Sequence, residues 1–507
     1  MPAIECDVAA LTLGLGLGAA AAACALRPGQ RQTEPTAAPR EQLEQLDRPQ
    51  ALSAEQISRY SRQLLLPCFG TAAQLRLCGS SALVIGAGGL GSPVIAYLAG
   101  AGIGRLGVID DDAVDVSNLH RQVIHGGSAP GTNKAISAGR AVAALNPDVD
   151  YIAYQTRLTA ENVAELVRAF DVVIDASDNM LTRYLVNDAC VLEGVPLVSG
   201  AAIGAEGYCT VYNHTATGGP CYRCIYGSPP PAATVASCSE NGVLGVVPGV
   251  IGCMQAVEAL KILSGMPKAT ALARRMCMYD ALAGEFRSLK LRARSPKCAV
   301  CGDAPHRTIF NLADSSAWCR QHGLVATENQ QCSREAAASL PHLPDTQRID
   351  CLQLQSIMAG RGLPGLVAAS SRHTDEAAGG SAKDEADAAQ LPCLLLDVRE
   401  AVQYQICALP HSLNVPLKDL TAKSNSDSQH KMAEVLNKAS GRPICVICRR
   451  GVDSVTATHR LLQYVVDGQA TGSQDGTAQA KTNRQIYNVD GGLNEWHRIV
   501  DPGFPIY

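Results

Sequence analysis

Aromatic residues are scarce in this chain: they form 4% of its 507 residues, with two tryptophans and five phenylalanines. Stacking platforms for single-stranded nucleic acid need repeated aromatic faces, so this composition argues against that class. An excess of positive charge is lacking too. The formal net charge of −4 at pH 7 gives no general electrostatic case for nucleic acid, although a local basic patch stays open. The uncharged stretch Val8–Leu26 has no basic segment ahead of it; Glu5 and Asp7 precede it, Arg27 and Arg31 follow, and it is mostly Ala and Gly. It reads as part of a poorly ordered N-terminal extension over residues 1–52, not as a signal peptide or a membrane span. Pro28 to Leu52, rich in Pro, Gln and Glu, reads as a linker within that extension.

Cysteine is plentiful, at 20 residues, but the density is far below that of a small disulfide scaffold. Several stand in C-x-x-C pairs or alone in apolar strands, which points to a reducing, cytoplasmic compartment with metal and thiol chemistry. Cys190 and Cys253 read as small buried residues. The length calls for about three domains.

The chain is organised around Ser81 to Gln122. Ala82-Leu83-Val84-Ile85 reads as a buried strand, Gly86-Ala87-Gly88-Gly89-Leu90-Gly91 as a tight turn, and Pro93 to Ala99 as a helix. A second strand, Leu106 to Ile109, delivers Asp110. Such a βαβ unit offers bare N–H groups and a helix N-terminus to phosphates, with a carboxylate about 20 residues on for a ribose hydroxyl. Further strand and helix patterns follow through Phe170–Asp175 and a helix carrying Arg183, so the fold class is α/β, a Rossmann-like doubly wound, mostly parallel sheet. Gly86, Asp110 and Asp178 fall at strand carboxyl ends, where such folds bind ligands. Upstream, Glu55 to Leu66 places Arg59 and Arg62 on one helix face, either a solvated basic surface or a phosphate clamp.

Cys221 and Cys224 form one C-x-x-C knuckle, and Cys298 and Cys301 form another some 75 residues later. Together they read as one tetrahedral four-cysteine zinc site, structural because no coordination position is left open. Cys238, in an irregular stretch between the knuckles, is either incidental or a nucleophile. A second, smaller domain begins near Ile349 and centres on the strand Ile444–Ile447, with Cys448 at its carboxyl end and a helix beginning near Ser454. A cysteine there faces backbone N–H groups and a helix N-terminus, an arrangement expected to favour the thiolate, with Arg449 and Arg450 adding positive charge.

These motifs are shared with known families. Glu55 to about Arg292 resembles the ubiquitin-activating-type (ThiF/MoeB-like) adenylyltransferases, through Arg-Tyr-Ser-Arg-Gln, Gly-x-Gly-Gly-Leu-Gly, Ser-Asn-Leu-x-Arg-Gln, Lys134, Asp178-Asn179 and the two knuckles. Ile349 to Tyr507 resembles a rhodanese, and the fusion resembles the eukaryotic molybdopterin-synthase adenylyltransferases and sulfurtransferases. The resemblance implies domains at 53–303 and 347–507, a linker at 304–346, and flexible inserts near 362–390, 421–438 and 467–484. It implies that Gly88 lines an ATP site, Asp110 holds the ribose, and Arg62, Arg121 and Lys134 contact phosphates, Arg62 from across a homodimer interface. Asp178 would bind Mg²⁺, with Asn118 and Asn179 beside the nucleotide and one structural Zn²⁺ per subunit on the four cysteines. The implied substrate is a small ubiquitin-fold sulfur carrier ending in Gly-Gly, serving molybdenum cofactor biosynthesis and tRNA thiolation. A persulfide on Cys448, loaded by a cysteine desulfurase, would attack the carrier's acyl-adenylate, and Cys238 would release the thiocarboxylate. Val452 stands where the family usually has Asn, which bears on the sulfur donor. No membrane and no direct nucleic-acid partner are expected. The competing readings are a dinucleotide-dependent oxidoreductase with a fused thiol domain, which leaves Arg62, Arg121, Lys134 and Asp178 unused, and a non-catalytic scaffold, for which Asp178 would be dispensable.

Overall fold

The structure, a computed structural model, describes residues 30–33, 46, 49–229, 242–322, 343–361, 391–421, 425–470 and 485–506. The chain divides into two compact units, Met1–Ala326 and Thr327–Tyr507.

The first unit is built on a nine-stranded sheet. Its strands are β1 (Gln30–Thr33), β2 (Ser81–Ile85), β3 (Arg105–Ile109), β4 (Asp150–Tyr154), β5 (Val172–Asp175), β6 (Leu197–Ile203), β7 (Glu206–Tyr212), β8 (Arg275–Asp280) and β9 (Glu285–Lys290). The order is β1-β4-β3-β2-β5-β6-β7-β8-β9, parallel as far as β6 and antiparallel from β6 to β9. The direction of winding reverses between β2 and β5, and in open α/β sheets that reversal opens a crevice at the strands' carboxyl ends. Alternate residues of the central strands enter different cores: Ala82 and Val84 join one, Leu83 and Ile85 the other. Both faces of the parallel part are therefore covered, which is why these strands are continuous apolar runs.

Three expectations need correction. The stretch read as a linker contributes β1, parallel to β4. The helix after the Gly-rich turn starts at Gly91, not Pro93, and runs to Ala101. Beyond the second knuckle, Leu312–Gln321 is a helix and not open linker, with Cys319 buried in the same core as Leu83 and Val173, and Ser315 donating to Asp188 at 2.6 Å. Among the described residues one helix, Val246–Leu263, is long and apolar enough to cross a membrane. Here it packs on the sheet, with Ile251, Ala259 and Leu263 in the core.

The second unit holds a five-stranded sheet of β10 (Arg348–Ile349), β11 (Leu394–Asp397), β12 (Leu413–Asn414), β13 (Ile444–Ile447) and β14 (Ile486–Val489). All its pairings are parallel, in the order β10-β14-β13-β11-β12. The insert expected near 421–438 is largely the helix Asn425–Ala439, which buries Met432, Val435, Leu436 and Ala439 in a core shared with β11 and β13. The insert expected near 467–484 begins as the end of the helix Asp453–Ala470, and its remainder, like residues 362–390, lies outside the described residues.

Candidate functional site

The crevice of the first unit is floored by the Gly86–Gly91 turn. Gly86 has φ +96°, and a Cβ there would lie 2.9 Å from the Ala176 carbonyl oxygen at the end of β5. A Cβ on Gly91 would lie 2.0 Å from the Gly86 carbonyl oxygen. These two positions must be glycine so that the turn can close on itself and on β5. Over Gly88 the situation differs: a Cβ there would meet only the Gln122 side-chain nitrogen, at 3.7 Å. The turn is thus tight at Gly86 and Gly91, close to Pro248 at Gly89, where a Cβ would lie 3.2 Å from it, and open over Gly88, where a phosphate could approach the backbone. Ser92 fixes its shape, donating N–H and hydroxyl to the Gly88 carbonyl at 2.9 and 2.7 Å.

Around this turn the structure gathers most of the candidate residues. Asp110, at the end of β3, accepts from the N–H of Ala87 at 2.8 Å and of Asp112 at 3.0 Å. Burial raises its carboxyl pKa, opposed by the nearby Lys134 ammonium. Asn133 caps the Lys134–Leu145 helix and donates to the Asp110 carbonyl at 2.9 Å. Lys134 is buried, yet its ammonium reaches Asp112 at 2.7 Å, a carboxylate 68% exposed. An exposed partner contributes little to such a pair. Arg121 lays its stem against the turn, its Cγ 3.5 Å from where a Gly89 Cβ would sit. Its guanidinium donates to the Asn118 side-chain oxygen at 2.8 Å and the Ser117 carbonyl at 3.1 Å.

Asp178 and Asn179 occupy the turn after β5. Asp178 is exposed; Asn179 caps the Met180–Glu193 helix by accepting from the Thr182 N–H at 2.8 Å. The cap accounts for asparagine there without any ligand. Arg62 lies on the helix Ala54–Leu64, which Tyr60 pins by accepting from Asn146 at 3.0 Å. Sequence reasoning missed Gln122, which faces the turn, and a buried polar group beneath it made of Asp175, Ser177, Arg183, Ser199 and Gln255. The signal available was a charged residue closing the apolar run Val172 to Asp175.

The four knuckle cysteines converge although the pairs lie far apart in the chain. All four sulfurs lie within 4.8 Å of one another, with Cys221–Cys224 at 3.7 Å, Cys221–Cys298 at 3.6 Å and Cys224–Cys301 at 3.4 Å. A tetrahedral thiolate site with metal–sulfur bonds of about 2.3 Å has sulfur–sulfur edges of about 3.8 Å, so the donor set fits a metal ion. Between the first two cysteines, Arg223 forms a bidentate pair with Asp188 at 2.7 Å for both bonds and stacks 3.9 Å above Trp318. The knuckle is thereby tied to two helices of the core. Cys190 is buried as expected, Cys253 only partly, and Cys238 lies outside the described residues.

Cys448 follows β13 and is buried, at 1% exposure. Its sulfur accepts from the Gly451 N–H at 3.1 Å and contacts the Ser454 hydroxyl at 3.4 Å. Gly451, at φ +79°, turns the loop back, and its Cβ would lie 2.6 Å from the Gly491 nitrogen. The cup of N–H groups is present, but the expected balance of charge is not. Burial, then the Asp453 carboxylate, raise the thiol pKa, against hydrogen bonds from Ser454 and Arg450 that lower it. The expectation of a favoured thiolate is corrected: enclosure and the Asp453 carboxylate outweigh the hydrogen bonds of the cup.

Comparison with known proteins bears on both units. Residues 60–300 match the ThiF family model and residues 380–499 the rhodanese-like domain model. Adenylyltransferase and sulfurtransferase MOCS3 of Bos taurus is 41% identical over 464 residues, covering 90% of this chain and 89% of that protein. The Danio rerio protein of that name is 40% identical, covering 90% and 88%. MOCS3-1 of Zea mays is 40% identical over 457 residues, covering 90% and 85%.

Proposed function

This chain belongs to the MOCS3 family of adenylyltransferases and sulfurtransferases, and from that premise we propose how its two units divide the work. It is an enzyme whose first unit binds ATP and adenylates, and whose second unit transfers sulfur. The substrate is the C-terminal Gly-Gly carboxylate of a small ubiquitin-fold sulfur carrier, for molybdenum cofactor biosynthesis, tRNA thiolation or both, in the cytosol.

One observation carries the reading. The turn open over Gly88 is bordered by the cations Arg121 and Lys134 and lies beside the exposed carboxylate Asp178 on the adjoining strand end. A carboxylate attacking the α-phosphate meets anion–anion repulsion, which such cations reduce while they stabilise the pyrophosphate leaving group. Asp110, tied to the turn through Ala87, presents a carboxylate to the ribose; Arg121 and Lys134 bind phosphates. Asp178 would hold Mg²⁺, which supplies charge neutralisation on the triphosphate. Arg62 acts from the partner subunit of a homodimer, supported by the exposed Leu65 and Leu66 at the end of its helix. The four knuckle cysteines hold a structural Zn²⁺, a choice supported by their all-thiolate set.

Sulfur moves in balanced steps. A cysteine desulfurase loads Cys448 as a persulfide. Its outer sulfur attacks the acyl carbon, AMP leaves, and an acyl disulfide remains. The Cys238 thiol then attacks Cys448, releasing the carrier thiocarboxylate and leaving a Cys238–Cys448 disulfide for an external thiol to reduce. The test is ATP–pyrophosphate exchange with and without a Gly-Gly carrier. Exchange that needs the carrier supports the reading; exchange that ignores it, or none, sinks it.

A further inference from the structure

Arg183 has no role in the scheme so far, yet it is the charged centre of the polar group beneath the crevice. Its guanidinium donates to the Ser177 carbonyl at 2.7 Å and lies 3.4 Å from Asp175 Oδ2 and 3.5 Å from the Ser199 hydroxyl. Asp175, 1% exposed, accepts from the Ser177 hydroxyl at 2.6 Å and the Ser177 N–H at 3.1 Å. Its second oxygen accepts from Ser199 at 3.2 Å, and its backbone carbonyl from Gln255 at 2.7 Å. One residue beyond Ser177 stands Asp178, exposed, and one beyond that Asn179, whose carbonyl accepts from the Arg183 N–H at 3.3 Å.

The polar bonds of this group therefore converge on the five-residue turn from Asp175 to Asn179. A buried ion pair is weak evidence for stability, since apolar replacements often serve as well. What an apolar replacement cannot do is hold a carbonyl and a carboxylate at fixed positions on the turn that leaves β5. Arg183 does both, one nitrogen to Ser177 and the other to Asp175. The exposed carboxylate of Asp178 is thus presented from a turn whose backbone is fixed from below.

We propose that Arg183 is a positioning residue of the adenylation site: acting through Ser177 and Asp175, it orients Asp178 toward the metal ion of a bound metal–ATP complex. This rests on the role given to Asp178 under the proposed function. Partners behind a metal ligand typically govern affinity by about 10- to 100-fold.

The test measures Mn²⁺ affinity in the presence of ATP, by electron paramagnetic resonance of the free ion, on the full chain. Arg183→Ala is expected to weaken Mn²⁺ binding by about 10-fold or more. Arg183→Lys, which keeps a charge and a donor, should recover part of the loss, and Ser177→Ala should give a smaller loss in the same direction. A folded Arg183→Ala variant that binds Mn²⁺ as wild type while its melting temperature falls would overturn the proposal. If Arg183→Ala does not fold, wild-type affinity in both Arg183→Lys and Ser177→Ala overturns it. A wild-type chain that binds Mn²⁺ and ATP but shows no carrier-dependent exchange refutes the functional reading, while the variants still decide the role of Arg183.

Discussion

The Gly86–Gly91 turn and the Cys448 loop each follow a central parallel strand, yet they are built in opposite ways. The turn supplies almost no side chains of its own: its cations and carboxylates come from Asp110, Arg121, Lys134 and Asp178, on four other segments. The Cys448 loop is nearly self-contained. Gly451 and Ser454 supply contacts and Asp453 a charge that acts on the thiol, all within six residues of the sulfur. On the proposed function the difference follows the reagents. A triphosphate spreads charge over many ångströms and needs cations from several directions, whereas one sulfur atom needs a small enclosure. The same contrast separates their electrostatics, since the turn is open over Gly88 while Cys448 is sealed.

If the two sites are separate in chemistry, they must be separable by mutation. The largest effect is expected for Cys448→Ala, which should abolish sulfur transfer to the carrier while leaving carrier-dependent ATP–pyrophosphate exchange at wild-type rate. Asp178→Ala should do the reverse, lowering exchange by about 100-fold or more while Cys448 still accepts sulfur from a donor. Loss of both activities in either variant would break the comparison. Metal removal comes next: chelation, or Cys224→Ser, should lower the melting temperature of the first unit and release the ion in proportion. The second unit should melt as before, because its fold contains none of the four ligands.

The smallest effect concerns pH. Burial and Asp453 raise the Cys448 pKa, so sulfur acceptance should increase with pH through the range above that of an ordinary thiol. Asp453→Asn removes one of the two raising causes, so the profile should move to lower pH; a shift to higher pH would contradict the assigned sign.

Much of this was legible because it lies in contiguous stretches. The Gly-rich turn, the paired knuckles and the strand-end Cys448 each carry their chemistry within a few residues, and local pattern is what a sequence displays best. Other features were hidden by composition. In Asn425–Ala439 the buried Met432, Val435, Leu436 and Ala439 follow helical spacing, but the stripe is narrow and set among polar and charged residues, so it looked like a loop. Leu312–Gln321 owes its burial largely to partners distant in the chain, Asp188 and Arg223 among them. The thiol balance at Cys448 depends on burial, which no spacing reveals. Arg183 shows the same limit: its place on a helix was visible, but its partners on β5, the turn after it and β6 come together only once the sheet has formed.

On the proposed function, one chain activates a carboxylate at the open turn and delivers sulfur to it from the enclosed cysteine. Mass spectrometry of a Gly-Gly carrier, incubated with the full chain, ATP, Mg²⁺ and a sulfur donor, tests this directly. The predicted result is replacement of one carrier oxygen by sulfur, lost when ATP is withheld and lost separately in Asp178→Ala and Cys448→Ala. A carrier that gains sulfur without ATP, or that is adenylated by the wild-type chain and never gains sulfur, would contradict it.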